Sequence, residues 1–272
     1  MIMTLIIILF LVAIIIFLIY PKKCTKTQEM LLCGVNYAHR GLHSKDKSMP
    51  ENSLSAFRLA VKKGYGIELD VILSKDGEVM VFHDDTLERI CGVSGEVEEY
   101  TLKELKKMKL CNTEEEIPTF QEVLNIVNEK VPIIIEIKSG KRNKELCEKV
   151  LSIVKEYRGA YCIESFNPFI VWWFRKNSPQ IMRGQLIMKR ENYKNVPKWM
   201  GFVMSNALAN VISRPNFIAY STEKKSFLLK SAERLGAMKV VWTVNDTLNL
   251  KKYEEENHAV IFEYYEPKLR YK

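Results

Sequence analysis

The chain lacks the cysteine spacing of a disulfide-stabilised domain. Its 272 residues include six cysteines, at positions 24, 33, 91, 111, 147 and 162, with no CxxC pair and no dense framework. This spacing favours reduced thiols over a disulfide scaffold. Helix-turn-helix, RNP and zinc-finger signatures are also missing, so we expect no nucleic-acid partner despite a formal charge of +8. A charged fraction of 27% argues against disorder, and the length suits one or two domains.

The N-terminal segment lacks charge and helix breakers. It carries no charge from Ile2 to Ile19. As a helix, this stretch is long enough to cross the roughly 30 Å hydrocarbon core of a bilayer. We interpret residues 1–20 as a transmembrane anchor and 21–33 as a juxtamembrane linker. A cleaved signal peptide is the alternative, but a basic n-region and a small-residue cleavage site are both missing.

Basic residues lie on one side of this segment. Lys22, Lys23 and Lys26 follow it, and no lysine or arginine precedes it. The positive-inside rule therefore predicts a single-pass protein of the cell membrane whose soluble part faces the cytoplasm. There the positive charge would hold the domain against an anionic leaflet.

Beyond residue 33, apolar runs alternate with amphipathic helical ones, the pattern of an α/β fold with a parallel sheet. Asn52 precedes one helical run that stops at Gly64, and capping-box spacings begin at Thr101 and Thr119. Eight strand candidates predict a closed TIM (β/α)8 barrel over 34–272, with a short insertion at its rim over 85–117. The candidates are 34–39, 66–71, 131–138, 160–165, 181–186, 216–221, 239–244 and 259–263.

One further strand-like run, "EVMVFH" at 78–83, stands outside the eight. Only "ILSKDG" separates it from the second strand, which is too short for a parallel crossover. A hairpin that turns at Lys75-Asp76-Gly77 would bring His83 back to the level of Asp70.

Polar residues follow the ends of several strands, where barrel enzymes carry their functional groups. Glu68 and Asp70 share one strand face, where two carboxylates would repel each other without positive charge between them. With Glu136 they form a set of three oxygen donors that suits Mg²⁺ or Ca²⁺. Arg40 and Lys138 can bind phosphate, and His39 and His83 can transfer protons. These residues predict metal-assisted cleavage of a phosphate ester.

A series of motifs runs in order over Val35 to Pro267. They are "HRG" (39–41), "PENS" (50–53), "GIELDV" (66–71), "SKDG" (74–77), "VFHD" (81–84), "IPTFQEVL" (117–124), "IEIK" (135–138), "SFN" (165–167) and "WTVN" (242–245). In these motifs the chain resembles the glycerophosphodiester phosphodiesterase family, a branch of the phospholipase-C-like barrel phosphodiesterases. The resemblance implies a divalent-metal enzyme, with Mg²⁺ or Ca²⁺, that hydrolyses glycerophosphodiesters to sn-glycerol 3-phosphate and an alcohol.

The resemblance also implies a role for each matching residue. Glu68, Asp70 and Glu136 would bind the metal, while His39 and His83 would be general base and acid. Arg40 and Lys138 would bind phosphate, Trp242 would border the glycerol pocket, and Glu51 would support the groups that contact the substrate.

Two segments depart from the family pattern. The loop 42–49 is longer than usual, and "AVIFEYYEP" at 259–267 stands where the family commonly has "GIITDxP". The second departure removes the glycine and the Thr-Asp pair of the family pattern. His43 and His258, outside every motif, are interpreted as structural, and Trp172-Trp173-Phe174 as helix packing rather than lipid contact.

Several alternatives stay open at this point. A lysophospholipase D acting on lysophospholipids is one, and a catalytically inactive, membrane-attached scaffold is another. The scaffold is disfavoured because no histidine or acid of the set is missing. The sequence leaves open the head group, the oligomeric state, and whether water or the glycerol 2-hydroxyl attacks first.

Overall fold

Parallel strands close into a barrel, as the alternation of apolar runs predicts. The computed structural model describes residues 1–194 and 196–270, and within them a nine-stranded sheet has the order β1-β9-β8-β7-β6-β5-β4-β2-β3. Pairing of β1 with β2 closes a ring of eight parallel strands, and β3 pairs antiparallel to β2 outside the ring. The strands are β1 (Val35–His39), β2 (Gly66–Leu73), β3 (Val79–Val81), β4 (Ile133–Ile137), β5 (Tyr161–Ser165), β6 (Arg183–Ile187), β7 (Phe217–Ser221), β8 (Met238–Val244) and β9 (Ala259–Phe262).

Helices connect the strands and cover the outside of the barrel. Each of the eight predicted strand runs overlaps an observed strand, and the (β/α)8 prediction is confirmed. The helices are α1 (Ile2–Ile19), α2 (Lys26–Leu32), α3 (Leu54–Lys63), α4 (Glu88–Cys91), α5 (Leu102–Leu105), α6 (Phe120–Val127), α7 (Asn143–Glu156), α8 (Pro168–Asn177), α9 (Lys198–Ser205), α10 (Asn210–Ser213), α11 (Phe227–Arg234) and α12 (Leu250–Glu256).

The interior of the barrel is filled by alternate residues of its strands. Side chains that pack together there include Tyr37, Ile134, Cys162, Val240 and Ile261. Because side chains of a strand alternate between its two faces, the residue two positions later on each strand also points inward. The apolar layer therefore lies at the N-terminal end of the barrel, and the inward positions that follow it form the mouth.

The predicted hairpin is present. Val71 and Leu73 pair with Val81 and Val79, and the main-chain N–H of Phe82 donates to the carbonyl oxygen of Asp70. The next residue, His83, thus returns to the level of Asp70. Residues 85–117 include short helices. Their apolar side chains form one small cluster with side chains on the outer face of the hairpin, so this segment lies at the rim of the barrel. The cluster consists of Ile72, Met80, Phe82, Leu87, Ile90, Val97, Leu105, Leu110 and Ile117.

The apolar helix α1 is long and apolar enough to cross a membrane, although a signal sequence near an N-terminus meets the same criterion. Most of it is exposed, but its last turn packs on the barrel. Ile19 is buried beside α11, and Asn210 donates to its carbonyl oxygen at 3.0 Å. Arg214 donates to the carbonyl oxygens of Phe17 and Tyr20 at 2.6 and 2.8 Å.

The segment expected as a linker, 21–33, contains the helix α2. Thr25 caps this helix, and its last residue, Leu32, is fully buried against the apolar layer of the barrel. The hydroxyl of Tyr37 inside the barrel donates to the carbonyl oxygen of Leu31 at 2.6 Å. This segment therefore covers the N-terminal end of the barrel.

A close contact inside the barrel gives a stability prediction. A Cβ added at Gly184 would lie 2.1 Å from Cε2 of Phe217, a ring that is fully buried. We expect Gly184→Ala to lower the free energy of unfolding by about 1–3 kcal/mol, because the packed ring has to shift. Urea unfolding of the full chain in detergent measures the change.

The matched control is Gly201→Ala in α9. There the nearest atom to an added Cβ is 3.6 Å away, so the substitution should be neutral or stabilise by up to about 1 kcal/mol. Equal stability of the two variants would contradict the overpacking argument.

Candidate active site

The predicted metal ligands meet at the mouth of the barrel. Carboxylate oxygens of Glu68, Asp70 and Glu136 lie within 4.8 Å of one another, and all three side chains are buried. Adjacent strands align them, since Asp70 is the register partner of Glu136. Lys138 lies beside them, with Nζ 3.0 Å from Glu136 and 3.5 Å from Asp70.

Burial and mutual repulsion shape the ionisation of these acids. Burial, followed by the charges of Asp70, Glu164 and Glu136, raises the pKa of Glu68 well above its usual range. Burial also raises the pKa of Glu136, against the opposing charge of Lys138. For Asp70, burial opposes ionisation, but the charges of Lys138, His83 and Arg40 hold its pKa below the usual range.

This donor set fits a divalent cation. Oδ1 of Asp70 is buried and makes no hydrogen bond to any residue that the structure describes. Its neighbours are carboxylate oxygens, the ligands that Mg²⁺ and Ca²⁺ prefer, and a cation among them would supply the positive charge that the crowded acids require. Glu68, Asp70 and Glu136 are therefore the residues that can hold the metal.

Arg40 connects the acids to a network on the rim. It has a positive φ of 54°, and its main-chain N–H donates to Glu68 at 3.1 Å. Its side chain donates to Glu51 at 2.5 Å and lies 3.5 Å from Asp70. Arg89 of α4 binds Glu51 with both terminal nitrogens, at 2.8 and 2.7 Å. Glu51 therefore binds the guanidinium groups of both Arg40 and Arg89.

Each predicted proton-transfer histidine has a carboxylate partner. Nδ1 of His39 lies 3.1 Å from Oε2 of Glu263, and its Nε2 lies 3.9 Å from Glu68. Nδ1 of His83 lies 2.6 Å from Asp84, which Arg89 also binds. Such partners fix the ring orientation and the tautomer. Burial, followed by repulsion from Arg40, lowers the pKa of His39 to about 4, although Glu263 opposes this shift.

Two inward acids were not predicted from the sequence. Glu164 is the register partner of Glu136 and is buried, with Oε2 unpaired among the described residues. Its burial, followed by the charges of Glu136 and Asp70, raises its pKa well above the usual range. Glu263 follows β9 and contacts His39. Strand alternation was the available signal, because these acids stand two residues after the inward Cys162 and Ile261.

The remaining predicted residues lie as follows. Trp242 points inward on β8 and packs edge-to-face against Phe166, with ring centroids 5.6 Å apart. His258 lies at the opposite end of the barrel, where its Nδ1 accepts from the main chain of Lys239 at 3.0 Å. His43, interpreted as structural, instead lies at the mouth near Glu263. In α8, Phe174 is fully buried, whereas Trp172 is 40% exposed.

A closed (β/α)8 barrel with clustered acids, paired histidines and basic side chains at its C-terminal mouth belongs to the class of barrel phosphodiesterases. The model of the glycerophosphoryl diester phosphodiesterase family matches residues 39–264. The chain therefore belongs to the glycerophosphoryl diester phosphodiesterase family.

Known proteins agree with this assignment. A glycerophosphodiester phosphodiesterase of Caldanaerobacter subterraneus subsp. tengcongensis is 38% identical over 162 residues, which is 55% of this chain and 65% of that protein. A glycerophosphodiester phosphodiesterase structure from Thermotoga maritima has a TM-score of 0.62 at 31% identity, over 84% of this chain and 93% of that one. An Oleispira antarctica phosphodiesterase, solved with its product sn-glycerol-3-phosphate, shares the fold with a TM-score of 0.70 at 24% identity, over 86% and 94%.

The Glu51 network gives a pH-dependent prediction. Burial alone would raise the pKa of Glu51, but hydrogen bonds and charges from Arg89 and Arg40 lower it from 4.5 to about 2. Its contribution to stability is therefore full above pH 4.5 and is lost as the pH falls toward 2. We expect Glu51→Gln to cost about 2–3 kcal/mol of unfolding free energy at pH 7.

Urea unfolding at a series of pH values measures this difference, which should narrow below about pH 4.5. Glu148→Gln is the control, because Glu148 is an exposed partner of Lys144 at 3.7 Å and should contribute less than about 1 kcal/mol. A Glu51→Gln cost that is the same at every pH would contradict the charge-based explanation.

Proposed function

We propose that this chain is a membrane-anchored, metal-dependent enzyme that hydrolyses glycerophosphodiesters to sn-glycerol 3-phosphate and an alcohol. One observation carries the proposal. The acids Glu68, Asp70 and Glu136 lie beside both His39 and His83, in a chain that the family model matches over 39–264.

The basic side chains bind the phosphate. The guanidinium of Arg40 is held between Glu51 and Asp70, so its planar fork is oriented before the substrate arrives. Lys138 is partly buried, with Nζ 3.5 Å from the other carboxylate oxygen of Asp70. Burial would lower its pKa, but Glu136 and Asp70 raise it above the usual range, which keeps it charged. When bound, a divalent cation, Mg²⁺ or Ca²⁺, neutralises the charge that develops on the phosphoryl oxygens.

His39 acts as the general base. Burial opposes ionisation of Glu263, but its hydrogen bond and charge interaction with His39 lower its pKa, so it is a carboxylate that accepts a hydrogen bond from Nδ1. The proton on Nδ1 leaves a lone pair on Nε2, the atom nearer to Glu68. That nitrogen takes the proton of the nucleophile, either water or the glycerol 2-hydroxyl. A diester that lacks the 2-hydroxyl distinguishes the two nucleophiles.

His83 acts as the general acid. It stands at the end of the hairpin, where Asp84, itself bound by Arg89, contacts its Nδ1 and fixes its orientation. It donates a proton to the leaving alcohol. Trp242 and Phe166 form an apolar wall beside the acids, which suits the carbon backbone of glycerol.

The two histidines provide the direct test. We expect His39→Asn and His83→Asn each to lower turnover of glycerophosphocholine by about 10²–10⁴, because each removes one proton transfer. EDTA should abolish turnover, and Mg²⁺ or Ca²⁺ should restore it. Release of glycerol 3-phosphate and choline by the purified full chain measures both effects.

His258→Asn is the matched control, since His258 lies at the far end of the barrel and should leave turnover within a few-fold. Activity that survives either active-site substitution would refute the proton-transfer roles. If the wild type released no product with either metal, the scaffold interpretation would replace the enzyme.

Exposed apolar side chains favour a second candidate, a lysophospholipase D. Helices that follow β5, β6 and β7 start at the mouth side of the barrel and present Phe169, Trp199, Phe202 and Phe227, which are 63%, 65%, 46% and 74% exposed. An acyl chain held at a bilayer surface could contact this rim. Comparison of glycerophosphocholine with lysophosphatidylcholine as substrates separates the two activities.

The proposed anchor gives a localisation prediction. The full chain should sediment with membranes, with the barrel exposed to protease on the cytoplasmic side. Deletion of residues 1–16 keeps the last turn of α1, which contacts Asn210 and Arg214. This variant should become soluble and keep its turnover of glycerophosphocholine, as measured in sedimented and supernatant fractions. A full chain recovered in the soluble fraction would contradict the anchor.

A further inference from the structure

Three nitrogen and oxygen donors converge beside the carboxylate site. Nδ1 of His39 lies 3.1 Å from Oε2 of Glu263, and Nε2 of His43 lies 3.9 Å from the same oxygen. Donor atoms of the three residues all lie within 4.8 Å of one another. His39 belongs to the family motif, but His43 and Glu263 come from the two segments that depart from the family pattern, 42–49 and 259–267.

His43 carries a buried polar atom that nothing in the described chain satisfies. Its side chain is 6% exposed, and its Nε2 makes no hydrogen bond to residues 1–194 or 196–270. Tyr264 packs edge-to-face against the ring, with centroids 5.2 Å apart. A buried nitrogen without a partner costs about 1–3 kcal/mol, so a ligand that it binds would recover this cost.

The donor chemistry selects the ligand. Two imidazoles and one carboxylate are a common set for Zn²⁺ with a fourth position open, whereas the neighbouring oxygen-only set suits Mg²⁺ or Ca²⁺. Tetrahedral zinc with bonds of about 2.1 Å places its ligand atoms about 3.4 Å apart. The observed separations of 3.1 and 3.9 Å lie on either side of that value.

We propose that His39, His43 and Glu263 form a second cation site that takes Zn²⁺, and that zinc bound there inhibits hydrolysis. Zinc binds the lone pair of Nδ1 of His39 and breaks the hydrogen bond to Glu263, and the single ring proton moves from Nδ1 to Nε2. Nε2 is then an N–H group without a lone pair, so it cannot take the proton of the nucleophile. The binding is independent of the activity, while the inhibition rests on the proposed role of His39.

Binding is tested with Co²⁺, because its visible absorption becomes stronger when only a few ligands coordinate it. Full-length protein in detergent with saturating Mg²⁺ should gain a visible band on addition of Co²⁺, and Zn²⁺ should remove it. His43→Asn should weaken cobalt binding by at least about tenfold, because it removes a ligand. His258→Asn, which alters a histidine at the other end of the barrel, should bind cobalt as the wild type does.

Inhibition is tested with the same proteins. At saturating Mg²⁺, micromolar Zn²⁺ should inhibit the wild type and His258→Asn. His43→Asn should keep its turnover without zinc and need at least about tenfold more zinc for half inhibition. Glu263→Gln, which keeps the side-chain shape, is a second variant for cobalt binding if His43→Asn folds poorly.

Each outcome decides one part of the proposal. Cobalt binding that is the same in His43→Asn and the wild type, or no cobalt band in the wild type, overturns the site. Cobalt binding that needs His43 without any effect of zinc on turnover overturns the inhibition and contradicts His39 as the base. If His39→Asn loses turnover but the wild type binds no cobalt at this site, the zinc proposal is wrong and the proposed hydrolysis is unaffected.

Discussion

Repulsion between carboxylates at the barrel mouth is the constraint on which the rest of the site depends. Strand alternation fixes Glu68, Asp70, Glu136 and Glu164 on the inner face, so they cannot turn away from one another. The carboxylate oxygens of Glu68, Asp70 and Glu136 lie within 4.8 Å of one another, and two unit charges at that upper limit repel by about 3 kcal/mol at an effective dielectric constant of 20. Each such pair is a large part of a net stability of about 5–15 kcal/mol. Arg40 and Lys138 offset part of this repulsion, and a cation at the same acids would offset more.

A chain of ion pairs joins separate segments around this centre. It runs from Arg40 through Glu51 and Arg89 to Asp84 and ends at His83. The arginine proposed to bind phosphate and the histidine proposed as the acid are therefore both linked to one residue of the rim insertion, Arg89. Since the side chains of Glu51 and Asp84 are 15% and 21% exposed, water screens this network less than a surface pair. The insertion thus supports the position of both groups through Arg89, a residue that lies outside the family motifs.

The sequence predicts the barrel and most of its mouth because both rest on local patterns. The apolar strands are short β-branched runs such as "VPIII", and polar residues stand at or near the ends of several of them. Glu164 and Glu263 also stand at inward positions near strand ends, but they lie outside the motifs. Strand alternation therefore identifies them, whereas motif matching does not. Arg89, Asn210 and Arg214 give no such signal. Their contacts depend on how distant segments pack, which neither periodicity nor composition encodes.

The last turn of the N-terminal helix α1 packs on the barrel, so the helix and the barrel are not separate parts of the molecule. Ile19 packs in one buried apolar cluster with Ile187, Ile218 and Leu229. The carbonyl oxygens of Phe17 and Tyr20 are acceptors for Arg214. The proposed anchor and the barrel therefore share the final turn of α1. Because that turn is packed on the barrel, the direction of the proposed anchor would set the tilt of the barrel against a membrane.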